Sequence, residues 1–168
     1  MMNDEILRIN GFEIVEDGFD QDKNKYYEGI FTQGNGYFHV RGSFEEGLAD
    51  APQNEVYTRT MKSVTTEQQR HPLSKQGTFL PLMMGKHPFL EEVIINLPYF
   101  MRIEIAAGNE KLDMIRSDIR DYRRVLNMKT GELTRSFTWI TASGEEIDVK
   151  FQGLQVLMKS DCLYSRQT

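Results

Sequence analysis

Cysteine is almost missing from this sequence: Cys162 stands alone among 168 residues, so no disulfide can close within the chain, and a reducing compartment is compatible with that count. Histidine is nearly as scarce. His39, His71 and His87 are dispersed, with no partner two or four residues on and no cysteine nearby, which argues against a zinc site. No apolar run approaches the ~20 residues that a membrane-crossing helix needs, and the opening Met1-Met2-Asn3-Asp4-Glu5 is acidic where a secretory signal is basic. Both absences point to a cytoplasmic protein with no membrane partner. Nor is there a surplus of positive charge: 20 basic side chains face 25 acidic ones, a net charge of −5 that offers nucleic acid no general attraction.

What is present is the composition of a folded chain. Hydrophobic residues make up 39% and charged residues 27%, with ten Phe and seven Tyr. A chain of this length buries roughly 70% of the surface its unfolded form exposes, so one domain, residues 1–168, is the expectation.

Apolar spacing reads as strands. In residues 3–19 the short apolar groups around Phe12, Ile14 and Val15 are broken by Gly11 and Gly18, which suggests strand and turn rather than helix. Residues 26–42 read as strand, turn, strand, with Gly34-Asn35-Gly36 supplying the turn. Residues 44–49 read as one helical turn, and residues 52–77 as a long polar loop of the kind that is functional or packed on another part of a molecule. Strand-like runs follow at 78–84, 93–97, 101–105, 112–115, 121–128, 133–141 and 147–151, with turns at Gly108-Asn109, Lys129-Thr130-Gly131-Glu132 and Ser143-Gly144-Glu145. Leu133, Ser136-Phe137, Trp139 and Thr141 form one face of their strand, Thr134, Thr138 and Ile140 the other. Residues 154–157 and 162–166 read as two more strands, the last lacking a neighbour, so the chain is expected to be a fragment. The spacing argues for an all-β sandwich.

Few residues invite a catalytic reading. The carboxylate pairs Glu45-Glu46, Glu91-Glu92 and Glu145-Glu146 are adjacent in sequence, which in a strand sends the two side chains to opposite faces, so they read as solvated surface rather than a paired acid and base. Cys162 has no identifiable base beside it. Gly34-Asn35-Gly36-Tyr37 lacks the lysine and helix of a phosphate loop and reads as a tight turn. Its other reading is that Asn35 and Tyr37 present an amide and an aromatic edge to a sugar or to another domain. Trp139 and Tyr122 could likewise stack on a sugar, although a tryptophan in an alternating strand belongs more naturally in a core. Asp121-Tyr122-Arg123-Arg124 suits cross-strand or interdomain ion pairs better than a ligand site.

Several segments, taken in order, resemble the N-terminal region of the family 65 glycoside hydrolases. They are Tyr27-Glu28-Gly29-Ile30-Phe31-Thr32-Gln33-Gly34-Asn35-Gly36-Tyr37, then Val40-Arg41-Gly42-Ser43-Phe44-Glu45-Glu46-Gly47, Asn96-Leu97-Pro98, Leu112-Asp113, Asp121-Tyr122-Arg123-Arg124-Val125-Leu126, and Gly131-Glu132-Leu133-Thr134-Arg135-Ser136-Phe137-Thr138-Trp139. Residues 53–92 depart from that pattern, with Arg70-His71-Pro72-Leu73-Ser74-Lys75 and Gly85-Lys86-His87-Pro88 in place of a shorter passage.

The resemblance implies a β-super-sandwich of the galactose mutarotase type, followed in full-length members by a linker and an (α/α)6 barrel that carries the general acid. It also implies an enzyme acting on an α-glucosyl disaccharide or oligosaccharide by inverting phosphorolysis or by hydrolysis. Phosphate would be a co-substrate of the phosphorolytic route, and no cofactor is called for. On this reading the segment itself holds no catalytic residue. Asn35, Tyr37, Arg41, Tyr122, Arg123 and Trp139 are its candidates for substrate contact or barrel packing, residues 55–75 for a border of the pocket, and a homodimer is an expected assembly. A stand-alone carbohydrate-binding module is the competing expectation, and an interaction domain unrelated to sugars a third.

Overall fold

A computed structural model describes residues 6–47, 77–86, 93–97 and 100–154. Its main layer is a five-stranded antiparallel sheet. In spatial order this sheet runs β1 (Leu7–Asn10), β2 (Glu13–Asp17), β9 (Asp118–Asn127), β10 (Glu132–Ile140) and β11 (Glu146–Leu154). Alternation dictates the three long strands: Ile147, Val149 and Phe151 turn inward from β11 while Glu146, Asp148, Lys150 and Gln152 face water. The tight turn after β10 is closed by the Thr141 hydroxyl, which accepts from the Glu145 N–H at 3.0 Å.

A second, four-stranded sheet holds β3 (Gln33–Gly34), β4 (His39–Val40), β5 (Thr78–Gly85) and β6 (Val93–Leu97). The short pair β7 (Ala106–Ala107) and β8 (Glu110–Lys111) turns at Gly108-Asn109. Among the described residues there is one helix, α1 (Asn24–Ile30). The all-β class expected from the sequence holds.

Two groups of apolar side chains fill the interior. Phe44, Leu112, Met114, Tyr122, Phe137 and Trp139 form one, supported by Phe19 and Phe151. Tyr27, Phe31 and Leu126 form the other, joining α1 to the large sheet. The register of β9 against β10 slips between Ser136 and Thr138, where Asp121 adopts a φ of +52°. That extra residue is a β-bulge, and it returns Tyr122 to the inner face.

Four local expectations are corrected. Residues 26–30, expected to be extended, belong to helix α1: the Asp20 carboxylate accepts the Asp22 and Lys23 N–H groups ahead of the first turn, and Tyr27 and Phe31 fall one turn apart on the buried side. Residues 44–47 form a bend, with the Gly47 N–H donating to the Phe44 carbonyl at 3.1 Å, and not a helical turn. Residues 101–105 and 112–115 are not ladder strands. The first attaches through an Ile103 N–H to Glu45 carbonyl bond of 2.8 Å, and the second is a turn organised by the Asp113 carboxylate. Ser136 lies on the outer face of β10, and Arg135 takes the inner position between Leu133 and Phe137. Of the loop proposed at 52–77 only Gly77 is described, and of the strands proposed at 154–157 and 162–166 only Leu154, which ends β11; Glu91-Glu92, His71, His87 and Cys162 lie outside the described residues.

Candidate functional site

The inner face of β9 and β10 is apolar except at its middle, where Arg124 sits between Tyr122 and Leu126 and Arg135 between Leu133 and Phe137. Sheet register then sets these side chains in one row. Glu16 is opposite Arg124, Arg124 opposite Arg135, and Arg135 opposite Phe151. Both arginines and Glu16 are buried.

Burying two adjacent guanidinium groups is costly unless each is paired and hydrogen-bonded. Arg124 donates from Nε to the Glu16 carboxylate at 2.7 Å and from Nη1 to the Gly42 carbonyl at 2.7 Å. Arg135 grips Glu46 through both terminal nitrogens, Nη1 to Oε1 at 2.7 Å, and reaches the Glu45 carboxylate at 2.8 Å. Bidentate contacts of this kind fix geometry as well as energy. The rings complete the shell. Phe44 lies against both guanidinium groups, at 5.6 Å from Arg124 and 4.4 Å from Arg135, and Phe31 and Phe151 cover their other sides at 4.3 and 4.4 Å.

Electrostatics follow this packing. Burial raises the Glu16 carboxyl above its ordinary value, with the Arg124 guanidinium opposing. Burial also raises the Tyr122 hydroxyl, which adjoins Glu16. For Arg135 burial acts downward, and the Glu46 and Glu45 carboxylates outweigh it, holding the guanidinium firmly charged. The free space between Phe44, Arg124, Arg135 and Phe151 is about 10 Å³, room for a single water and not for a sugar ring. Residues 42–47 are thus a strap bound across the large sheet.

The structure separates the six candidates. Trp139 is wholly buried in the aromatic core, and Tyr122 lies there too, its ring stacked near Phe137 at 6.4 Å between centroids. Neither presents a face to a ligand. Arg123 is on the outer face, paired to Asp17 at 3.4 Å across the β2–β9 ladder. The buried Asn35 carboxamide oxygen accepts the Tyr37 and Phe38 N–H groups, each at 3.0 Å, and so shapes the turn in which Gly36 has a φ of +85°. Tyr37 is exposed at that turn. Arg41 donates to the Lys25 carbonyl at 3.0 Å and lies 3.9 Å from the buried Glu28 carboxylate, tying β4 to α1. The six do not meet in one site.

Glu45-Glu46 is corrected outright: the Glu46 side chain is almost fully buried and that of Glu45 largely so. Arg124 makes the cross-strand ion pair expected of Asp121-Tyr122-Arg123-Arg124, with Glu16 as its partner, whereas the burial of both arginines and the parts of Arg135 and Glu16 are not in the sequence reading. Their signal was strand parity, since each arginine occurs two residues from apolar neighbours on both sides. Among the described residues no group of three or more His, Cys, Asp and Glu side chains could hold a metal ion, and no helix is long and apolar enough to cross a membrane.

The profile of glycosyl hydrolase family 65, N-terminal domain, matches residues 14–164. The chain belongs to this family. It is 28% identical over 148 residues to a kojibiose phosphorylase of Thermoanaerobacter brockii, covering 88% of this chain and 16% of the relative. It is 29% identical to an alpha,alpha-trehalose phosphorylase of the same organism, covering 88% and 18%, and 29% identical to a maltose phosphorylase of Bacillus subtilis, covering 81% and 16%. A solved protein assigned as a kojibiose phosphorylase from human microbiome superposes with a TM-score of 0.68 at 25% identity, over 94% of this chain and 19% of that one. The chain therefore spans about a sixth of the length of these curated relatives. In the family 65 segment Val40-Arg41-Gly42-Ser43-Phe44-Glu45-Glu46-Gly47, the strap residues are those that the two arginines hold.

Proposed function

We propose that residues 1–168 form one non-catalytic β domain of a larger cytoplasmic enzyme that cleaves α-glucosyl disaccharides by phosphorolysis. The general acid and the phosphate site belong to an (α/α)6 barrel outside this chain. There, one glutamic acid protonates the leaving oxygen while phosphate attacks the opposite face of the sugar, so a second carboxylate is unnecessary. Three named relatives that share this domain are phosphorylases, which favours phosphate over water.

One observation carries the reading for the segment itself. The Glu16, Glu45, Glu46, Arg124 and Arg135 side chains are engaged with one another beneath the strap, around a space no larger than a water. Their role is to fix the path of residues 42–47. From there the chain enters the long polar passage that departs from the family pattern, and we assign to residues 55–75 a part in shaping the pocket of the intact enzyme. Arg41 and Tyr37, on the α1 and β4 side, are the remaining candidates for packing against the barrel, and a homodimer is the assembly we expect.

Isothermal titration of the 168-residue chain with kojibiose, trehalose and maltose tests this assignment. No binding heat is expected. Saturable binding weakened by Tyr37→Ala would instead establish a carbohydrate-binding module acting on its own.

A further inference from the structure

Glycine follows asparagine or aspartate at Asn10-Gly11, Asp17-Gly18 and Asn35-Gly36 among the described residues. Such a dipeptide can close on itself, because a glycine nitrogen with no Cβ beside it reaches the side-chain carbonyl carbon of the residue before. The fold treats the three differently. Asn10 ends β1 opposite Glu13, and Gly11-Phe12 is the two-residue turn into β2, with Gly11 at a φ of +61°. Asn10 and Gly11 are both exposed, and a Cβ on Gly11 would meet nothing within 4 Å. The Met128 N–H anchors the turn at the Phe12 carbonyl, 2.8 Å away, but neither the Asn10 carboxamide nor the Gly11 N–H has a hydrogen-bond partner among the described residues. Asn35 is buried, its carboxamide oxygen accepts the Tyr37 and Phe38 N–H groups, and its own N–H donates to the Phe38 carbonyl at 3.2 Å. At Asp17-Gly18 the carboxylate is paired to Arg8 and Arg123, and the Gly18 N–H is spent on the Tyr122 carbonyl at 2.8 Å.

We infer that Asn10 is a site of spontaneous deamidation, a covalent modification by water that the fold permits at Asn10-Gly11 and denies to Asn35-Gly36 and Asp17-Gly18. Hydroxide takes the Gly11 amide proton, and the nitrogen attacks the Asn10 Cγ. A bond from Gly11 N to Cγ forms, the bond from Cγ to Nδ2 breaks, and ammonia leaves with a proton from water. Water then opens the cyclic imide. Cleavage at Cγ leaves aspartate, and cleavage at the main-chain carbonyl leaves isoaspartate, with the Asn10 Cβ now in the backbone. At Asn35 the ring can close only if two hydrogen bonds are given up in a place shut off from water. At Asp17 the ion pairs hold the side chain as a carboxylate, a poor target for attack, and the nucleophile is engaged. Either product at position 10 sets a carboxylate opposite Glu13, and like charges directly opposite are destabilising. Isoaspartate also lengthens a turn whose register depends on its length. The strand that suffers is β1, an edge strand held to the sheet by β2 alone.

The 168-residue chain is aged in mildly alkaline buffer, with and without guanidinium chloride, and its peptides are followed by mass spectrometry, where each deamidation adds about 1 Da. Isoaspartate is counted by enzymatic methylation. In the folded chain Asn10 is expected to convert at least about tenfold faster than Asn35, with no isoaspartate at Asp17. In denaturant the two asparagines should convert within about threefold of each other, because the protection of Asn35 unfolds with the chain. Asn10→Ser should remove nearly all of the isoaspartate formed by the folded chain. Equal rates at Asn10 and Asn35 in the folded chain overturn the inference. A preference for Asn10 that persists in denaturant overturns it as well, since the selection then belongs to the neighbouring side chains and not to the fold. Amide hydrogen exchange in β1 should be faster in the aged chain, and exchange unchanged there overturns the loosening of that strand.

Discussion

Arg124 and Arg135 face each other directly across the β9–β10 ladder, two like charges side by side inside the sheet. Their repulsion is overcome only because three carboxylates and a carbonyl reach them from β2 and from the strap. The charged side chains and the family segment at 42–47 therefore form one structural unit.

Removing one partner exposes the dependence of that unit. Arg135→Met leaves the Glu46 carboxylate buried and unpaired, and urea unfolding should show a loss of about 3–5 kcal/mol. The double variant Arg135→Met with Glu46→Leu should recover most of it, since a buried ion pair replaced by apolar residues is often neutral. A double variant as unstable as the single one would contradict this.

Strap placement is equally sensitive at Gly42. A Cβ there would lie 2.6 Å from the Phe31 Cβ and 2.7 Å from its carbonyl oxygen, atoms that cannot swing aside. Gly42→Ala should cost about 1–3 kcal/mol in thermal or urea unfolding. Gly34→Ala is the comparison, for its Cβ meets only the exposed, movable ring of His39 and should cost less.

The pH dependence has a definite sign. Because burial raises the Glu16 carboxyl above 4.5, the folded chain holds that proton more tightly than the unfolded chain. The contribution of Glu16 is therefore present in full below its ordinary value and is lost as pH rises through the higher, folded value. Unfolding free energies of wild type and Glu16→Gln, taken between about pH 4 and about pH 7, should show the wild type losing ground as pH rises. A difference that moves the other way would refute the assignment.

Much of this was legible in the sequence, and the exceptions share a cause. Strands β9, β10 and β11 announce themselves through two-residue alternation, and their connecting turns through Gly131 and Gly144, both at positive φ. Helix α1 was hidden because Tyr26, Tyr27, Ile30 and Phe31 are also good strand residues, and only the tertiary contacts of Tyr27 and Phe31 with Leu126 decide for helix. Glu46 reads as solvated by residue type, and Arg135 has no reading of its own although its neighbours on the same face, Leu133 and Phe137, are apolar; Arg124 reads correctly as a cross-strand ion-pair former. Strand parity points Arg135 inward, but the partner that lets its charge be buried, Glu46, lies 89 residues away, and no local pattern records that pairing.

Trp139 and Tyr122 report on the sugar question. Both are core residues, so kojibiose, trehalose or maltose should leave the fluorescence of Trp139 in the 168-residue chain unchanged. Trp139→Ala should destabilise the chain by about 3–5 kcal/mol. A saturable fluorescence change with any of the three sugars would contradict the core assignment.

Phosphate-dependent release of glucose 1-phosphate is the most direct measurement. The intact gene product should release it from at least one of kojibiose, trehalose and maltose, and the 168-residue chain from none. Turnover by the chain alone, or a gene product that cleaves these sugars at the same rate without phosphate, would contradict the account.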